Sequence, residues 1–317
     1  MTLRAPFPWF GGKSRVAHVV WDRFGDVPNY VEPFAGSLAV LLSRPTAPGT
    51  ETVNDLDTYL ANFWRAVQAD PVEVALWAGY PVNECDLHAR HRWLVGIEPK
   101  FHEQMKADPD FYDPKVAGWW VWGVAQWIGS GWCSKPGSRV RGDGAPSEQL
   151  PHLGNAGMGL HRKLPHLGDA GRGTLAWMLA LAERLRRVRV ACGDWQRILG
   201  PSVTEKHGVT GILLDPPYSD DEHTVDYAAG GDVAAAVAAW ARENGDNPNL
   251  RIALCGYEGE HDIPESWTKV EWKARGGYGS QGNGAGRENA GRERIWFSPA
   301  CLGRSVRGPL FAEEAAP

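Results

Sequence analysis

Asp215-Pro216-Pro217-Tyr218 directly follows the apolar run Gly211-Ile212-Leu213-Leu214, and residues of these types in this order can do chemistry on an exocyclic amine. The apolar run reads as a buried strand. Two prolines cannot extend a hydrogen-bond ladder, so the chain must leave the sheet there with fixed backbone angles. Asp215 then points out of the strand's carboxyl edge, where open α/β sheets bind their ligands. Its carboxylate and the Pro216 carbonyl are adjacent acceptors, which suits one amino group. Pro217 completes the turn, and Tyr218 adds a flat face on which a base can stack, worth roughly 1–3 kcal/mol.

These residues need a sheet to hold them, and the flanking pattern supplies one. From Val31 to Leu42 an apolar run is broken by Pro33, Gly36 and Ser37, which predicts strand, tight glycine turn and helix. A second strand ends in Glu51-Thr52-Val53-Asn54-Asp55, with an acidic residue at its carboxyl end, and a helix from Thr58 to Gln68 follows. Together they form a β-α-β unit whose first turn is open to a ligand. Periodicity resumes at Thr174–Val188 as an amphipathic helix, then a strand over Arg187–Cys192 that leads to Gly193-Asp194. After the Asp215 strand come a helix near Asp232–Arg242, a strand at Arg251–Cys255, and late strands near Lys269–Trp272 and Arg294–Phe297. The fold class is α/β: a Rossmann-like sheet, mostly parallel with a late antiparallel strand, plus an inserted domain.

At 317 residues, with a formal net charge of −5, the chain has length for a large core and no bulk positive charge for coating nucleic acid. The five cysteines are scattered and contain no C-x-x-C pair, the usage of reduced thiols. The beginning of the sequence lacks a signal-like apolar stretch, and no run reaches membrane-spanning length. A cytoplasmic location is expected.

Between the halves lies an insert of roughly residues 70–173, rich in tryptophan and glycine, in which Leu150-Pro151-His152-Leu153-Gly154 recurs as Leu164-Pro165-His166-Leu167-Gly168. The tryptophans at 119, 120 and 127 are read as core. Residues 130–190 concentrate ten basic side chains against four acidic ones, a footprint that fits phosphate contacts. Lys135, Arg139, Arg141, Arg162, Lys163 and Arg172 are the candidate phosphate contacts, whereas Arg184–Arg189 fit a solvated helix face equally well. Neither the Cys133, His152, His161, His166 set nor Cys85, His88 and His91 has zinc-ligand spacing, so no metal is expected. The glycine-rich stretch Gly276–Gly291 has the composition of a mobile loop.

Taken together these motifs resemble the Dam-like DNA adenine-N6 methyltransferases, with cofactor motifs ahead of the catalytic one. Pro8-Trp9-Phe10-Gly11-Gly12-Lys13 is similar to that family's N-terminal cofactor motif. Glu32-Pro33-Phe34-Ala35-Gly36-Ser37 is similar to its first strand–loop motif, and Asp215 to Tyr218 match its catalytic motif. The resemblance implies S-adenosylmethionine as cofactor, Asp55 on the ribose hydroxyls, Asp194 near the adenine of the cofactor, and a double-stranded DNA substrate whose adenine is flipped out. It further implies a catalytic domain over 1–69 and 174–317, with target recognition over 70–173. One departure stands out: the family's loop usually carries a second glycine two residues after the first, and here Leu38 holds that place. A local difference in the backbone's approach to the cofactor is expected there.

Three readings compete with adenine methylation. N4-cytosine methyltransferases act on the same kind of amine but tend to carry Ser at the Asp215 position. RNA or protein-glutamine methyltransferases favour Asn there. A catalytically silent DNA-binding protein would have no need of the full tetrapeptide. A monomer without an obligate protein partner is expected, and protection of phage or mobile-element DNA from restriction is the role that family analogy offers.

Overall fold

The strand that delivers Asp215, β4 (Thr210–Leu214), is buried along its whole length, as is β1 (Asn29–Glu32). Strands covered on both faces read as continuous apolar runs rather than alternating ones. Gly211 in β4 lets the chain pack closely: a Cβ there would come within 2.8 Å of the Phe24 ring. The computed structural model describes residues 3–7, 9, 11–127, 131–133, 172–217, 233–272 and 292–303.

Around these strands the chain runs α1 (Ala17–Phe24), β1, α2 (Ala39–Leu42), β2 (Thr50–Asp55), α3 (Thr58–Ala69), α4 (Pro71–Ala78), α5 (Glu84–Ala107) and α6 (Pro114–Val124). It continues with α7 (Arg172–Leu185), β3 (Val188–Cys192), a 3₁₀ turn (Trp195–Ile198), α8 (Pro201–Thr204), β4, α9 (Val233–Asn244), β5 (Leu250–Tyr257), β6 (Thr268–Glu271) and β7 (Glu293–Phe297). The seven strands form one sheet in the order β3-β2-β1-β4-β5-β7-β6. β4 is parallel to both β1 and β5, and the late strand β7 is antiparallel to β5 and β6. This is the Rossmann-like α/β sheet expected, with antiparallel late strands.

Two compact units divide the chain. The first comprises Met1–Phe10, Ala35–Leu38 and Val53–Arg197; the second comprises Gly11–Phe34, Ala39–Thr52 and Ile198–Pro317. In the first unit four successive helices start on an Asp or Asn whose side chain accepts from a backbone N–H of the first turn: Asp57, Asp70, Asn83 and Asp113. Each such cap stabilises its helix by about 1 kcal/mol. Pro71 and Pro114 open two of them, where the missing N–H costs nothing.

Helices α4, α5 and α6 occupy a stretch in which the sequence shows no clear period. α6 is apolar almost all round and is buried on most of its surface, while α5 places His88 and Arg90 among its buried residues and spreads other apolar residues over its remaining faces. A helix of either kind lacks the single stripe that reveals an amphipathic one. Trp120 is buried, as the core reading expects, whereas Trp119 and Trp127 are half-buried; Trp122, outside that reading, is buried as well. Trp120 joins Phe7, Phe63 and Trp64 in an aromatic cluster, with Phe7 5.1 Å from Trp120 and 5.3 Å from Phe63, centroid to centroid. Most of the geometries are edge-to-face, which the ring quadrupoles favour.

Candidate active site

The first unit builds its carboxylate turn from backbone. Trp64 of the aromatic cluster donates its indole N–H to the Gly36 carbonyl at 3.0 Å, which fixes the turn to the core. Gly36 has φ 46°, and a Cβ there would lie 2.6 Å from Trp9 Nε1, so only glycine fits against Trp9. The Gly36 N–H donates to Asp55 Oδ2 at 3.0 Å, and the Asp57 N–H donates to Asp55 Oδ1 at 3.0 Å. Burial, with the Asp57 carboxylate second, raises Asp55 to about 6 against these lowering N–H bonds. The exit of β3 is tied to the same place: Gly193 N–H donates to the Asp55 carbonyl at 3.0 Å, and Asn54 Nδ2 donates to the Gly193 carbonyl at 2.9 Å. The exposed Asp194 therefore follows directly on a residue bonded to Asp55. Asp194 accepts from the Gln196 N–H at 2.8 Å.

Leu38 takes φ 53° and is fully buried. The left-handed conformation a glycine would supply is thus adopted by a leucine, at a cost of about 1–2 kcal/mol. Its N–H donates to the Ala35 carbonyl at 2.8 Å, and burial of the side chain offsets the strain.

The second unit builds its site from side chains. Lys13 Nζ lies 2.8 Å from Asp215 Oδ2, and the lysine side chain is only 5% exposed against 21% for the aspartate. The same ammonium donates to the Gly11 carbonyl at 2.8 Å and sits 5.6 Å from the centre of the buried Trp272 ring. Burial by itself would lower the Lys13 pKa; the Asp215 carboxylate, followed by Cys255 and Glu293, outweighs it and raises the group above the ordinary lysine value. Lys13 is therefore a permanent cation beside Asp215. Glu32, at the end of β1, is buried and is pushed up to about 8 by that burial; the Tyr30 hydroxyl, which donates to it at 3.0 Å, lowers it, while Asp215 and Glu51 raise it. At neutral pH Glu32 is largely a neutral acid.

The remaining candidates from the sequence take these places. Gly11, with φ 68°, and Gly12 precede Lys13. Pro33 is buried and Phe34 half-buried in the turn after β1; Ala35 is buried and Ser37 half-buried beside Gly36. Pro216 is buried and Pro217 half-buried. Arg172 begins α7. Phe10, Tyr218, Lys135, Arg139, Arg141, Arg162 and Lys163, the Leu-Pro-His-Leu-Gly repeat and Gly276–Gly291 lie outside the described residues. Arg187 and Arg189 are exposed at the leading end of β3, away from its Gly193 exit. In the Cys85, His88, His91 set, His91 stacks on Trp127 at 4.7 Å and its Nδ1 accepts from the Cys133 N–H. Among the described residues no group of three His, Cys, Asp or Glu could hold a metal. The sequence reading missed Cys255, which follows Leu254, the β5 partner of Leu214, and so lies beside Asp215. The strand carrying it is legible, but its register against the Asp215 strand is not.

Residues 9–87 match the D12 class N6 adenine-specific DNA methyltransferase family. The match supports a Dam-like adenine methyltransferase and indicates an enzyme that methylates adenine in DNA. A search of curated proteins finds no match. Among the described residues no helix is long and apolar enough to cross a membrane.

Proposed function

With adenine-specific DNA methylation as the activity the family match indicates, we propose that this chain transfers a methyl group from S-adenosylmethionine to N6 of an adenine flipped out of double-stranded DNA. The observation that carries the reading is the Asp215 carboxylate at the exit of β4, held by Lys13 at 2.8 Å and followed by two prolines. When bound, S-adenosylmethionine supplies an electrophilic methyl group on a sulfonium. In adenine the N6 lone pair is delocalised into the ring. The Asp215 carboxylate and the Pro216 carbonyl accept the two N6 hydrogens, which localises that lone pair on nitrogen and aims it, an effect of positioning and electrostatics. Positive charge then grows on N6 beside the Asp215 carboxylate, which takes the surplus proton after transfer. Lys13 keeps the carboxylate oriented. A base inside a duplex cannot reach such a carboxylate, so the adenine is extruded and stacks on Tyr218.

The first unit suits the cofactor by its chemistry. Asp55 and Asp194, at the exits of β2 and β3, present acceptors to hydroxyl and amino groups, and the Trp9–Gly36 turn admits no side chain at its closest point. Asp55 accepts the ribose hydroxyls in this reading. Residues 70–173 read the DNA sequence, with Lys135, Arg139, Arg141, Arg162, Lys163 and Arg172 on phosphates. The enzyme acts as a cytoplasmic monomer, in the role of an orphan methyltransferase protecting phage or mobile-element DNA.

The test is incubation of the purified protein with unmethylated DNA and S-adenosylmethionine, digestion to nucleosides and mass spectrometry. N6-methyladenine is expected. N4-methylcytosine, or no methylated base despite measured cofactor binding, overturns the reading.

A further inference from the structure

Cys255 is a buried thiol that the mechanism above does not use, and three observations place it at the reacting carboxylate. β4 and β5 are parallel, with Leu214 paired to Leu254. Asp215 and Cys255 are the next residue on each strand, so their side chains leave neighbouring strands on the same face. Cys255 is fully buried, and its thiol interacts electrostatically with the Asp215 carboxylate. Burial first, and the Asp215 charge second, push the thiol far above its usual value, so the group is an S–H donor rather than a thiolate or a nucleophile.

We propose that Cys255 is a positioning residue for methyl transfer: its S–H and the Lys13 ammonium hold the Asp215 carboxylate from two sides, fixing the orientation in which it accepts the amine hydrogens. Four groups bear on this arrangement: Lys13 from the loop before α1, Glu32 from β1, Cys255 from β5 and Glu293 from β7. Lys13 supplies the opposite charge, Glu32 is held largely neutral by burial, Glu293 bears on both Lys13 and the thiol, and Cys255 offers a donor from β5. A thiol suits this place because it satisfies the carboxylate with one weak donor and adds no charge.

The inference rests on the methyl-transfer reading, and two measurements keep their failures apart. The first is steady-state kinetics of Cys255→Ala and Cys255→Ser on duplex DNA with S-adenosylmethionine. Cys255→Ala is expected to lose roughly tenfold in kcat with both KM values unchanged, the effect of one hydrogen bond to a charged group, and Cys255→Ser to recover most of the loss. Equal losses in both variants, or wild-type kcat in Cys255→Ala, overturn the role. The second is the S–H infrared stretch of the protein without substrate, assigned by its absence in Cys255→Ser. A band at the lowered frequency of a bonded thiol, relaxing in Asp215→Ala, supports the bond whatever the activity; a free-thiol frequency in the wild type overturns it. Wild-type protein that methylates no DNA sinks the methyl-transfer reading, and the band then decides the bond alone.

Discussion

Two of the carboxylates at strand exits in this chain, Asp55 and Asp215, are held in opposite ways. Asp55, at the end of β2, is gripped by the backbone N–H groups of Gly36 and Asp57. Asp215, after β4, is gripped by a side chain, the Lys13 ammonium at 2.8 Å, and in our proposal by the Cys255 thiol as well. A backbone grip needs only the right turn and survives exchange of most neighbouring side chains. A side-chain grip sets the charge and direction of its carboxylate but depends on particular residues far apart in the chain. The first arrangement suits recognition of neutral hydroxyls, and the second suits a carboxylate that must meet charge developing during a reaction.

The contrast is tested most severely at Asp215. Asp215→Ala should lower methyl transfer roughly 10³-fold or more while cofactor binding measured by calorimetry stays near wild type; retained turnover would end the mechanism. Lys13→Met, which removes the opposing charge at similar length, should cost about 10²-fold in kcat. A rise in cofactor KM alone would instead return Lys13 to the cofactor. Asp55→Asn should weaken cofactor binding roughly tenfold and flatten its pH dependence. In the wild type, affinity should fall as pH drops through about 6, where Asp55 takes up its proton. Stability runs the other way. A carboxylate raised from 3.8 to about 6 on folding binds its proton more tightly in the native state, so stability declines as pH rises across that interval and levels above it. Urea titrations of wild type and Asp55→Asn at several pH values check the sign. The smallest functional effect is expected at Leu38→Gly. The substitution keeps the left-handed backbone and the Gly36–Asp55 bond, so cofactor affinity should change by less than about threefold. Loss of the buried side chain, partly offset by relief of strain, should lower stability by about 2 kcal/mol. A large affinity loss would show that the leucine side chain itself shapes the turn.

What the sequence determined was local. The Asp215 strand, the Gly36 turn, the acidic end of β2 and the late strands are legible because each depends on a run of apolar residues, a proline or glycine, and neighbours a few positions away. The helices at residues 71–107 were not legible, since α5 mixes His88 and Arg90 into its buried side; over α6, buried nearly all round, only the near-helical spacing of tryptophans gave a sign. The Leu38 backbone was hidden for a related reason, since a strained angle in a non-glycine residue is held by surrounding packing rather than encoded by residue type. Tertiary structure alone decided which groups meet Asp215. Lys13 reads in sequence as part of a glycine turn and Cys255 as the end of an apolar strand; strand order and register bring both to one carboxylate. There the Asp215 charge, outweighing burial, makes an ordinary lysine a fixed cation, while burial turns a glutamate into a neutral acid and keeps a cysteine protonated. Side-chain chemistry is written residue by residue, whereas proximity and desolvation belong to the folded chain.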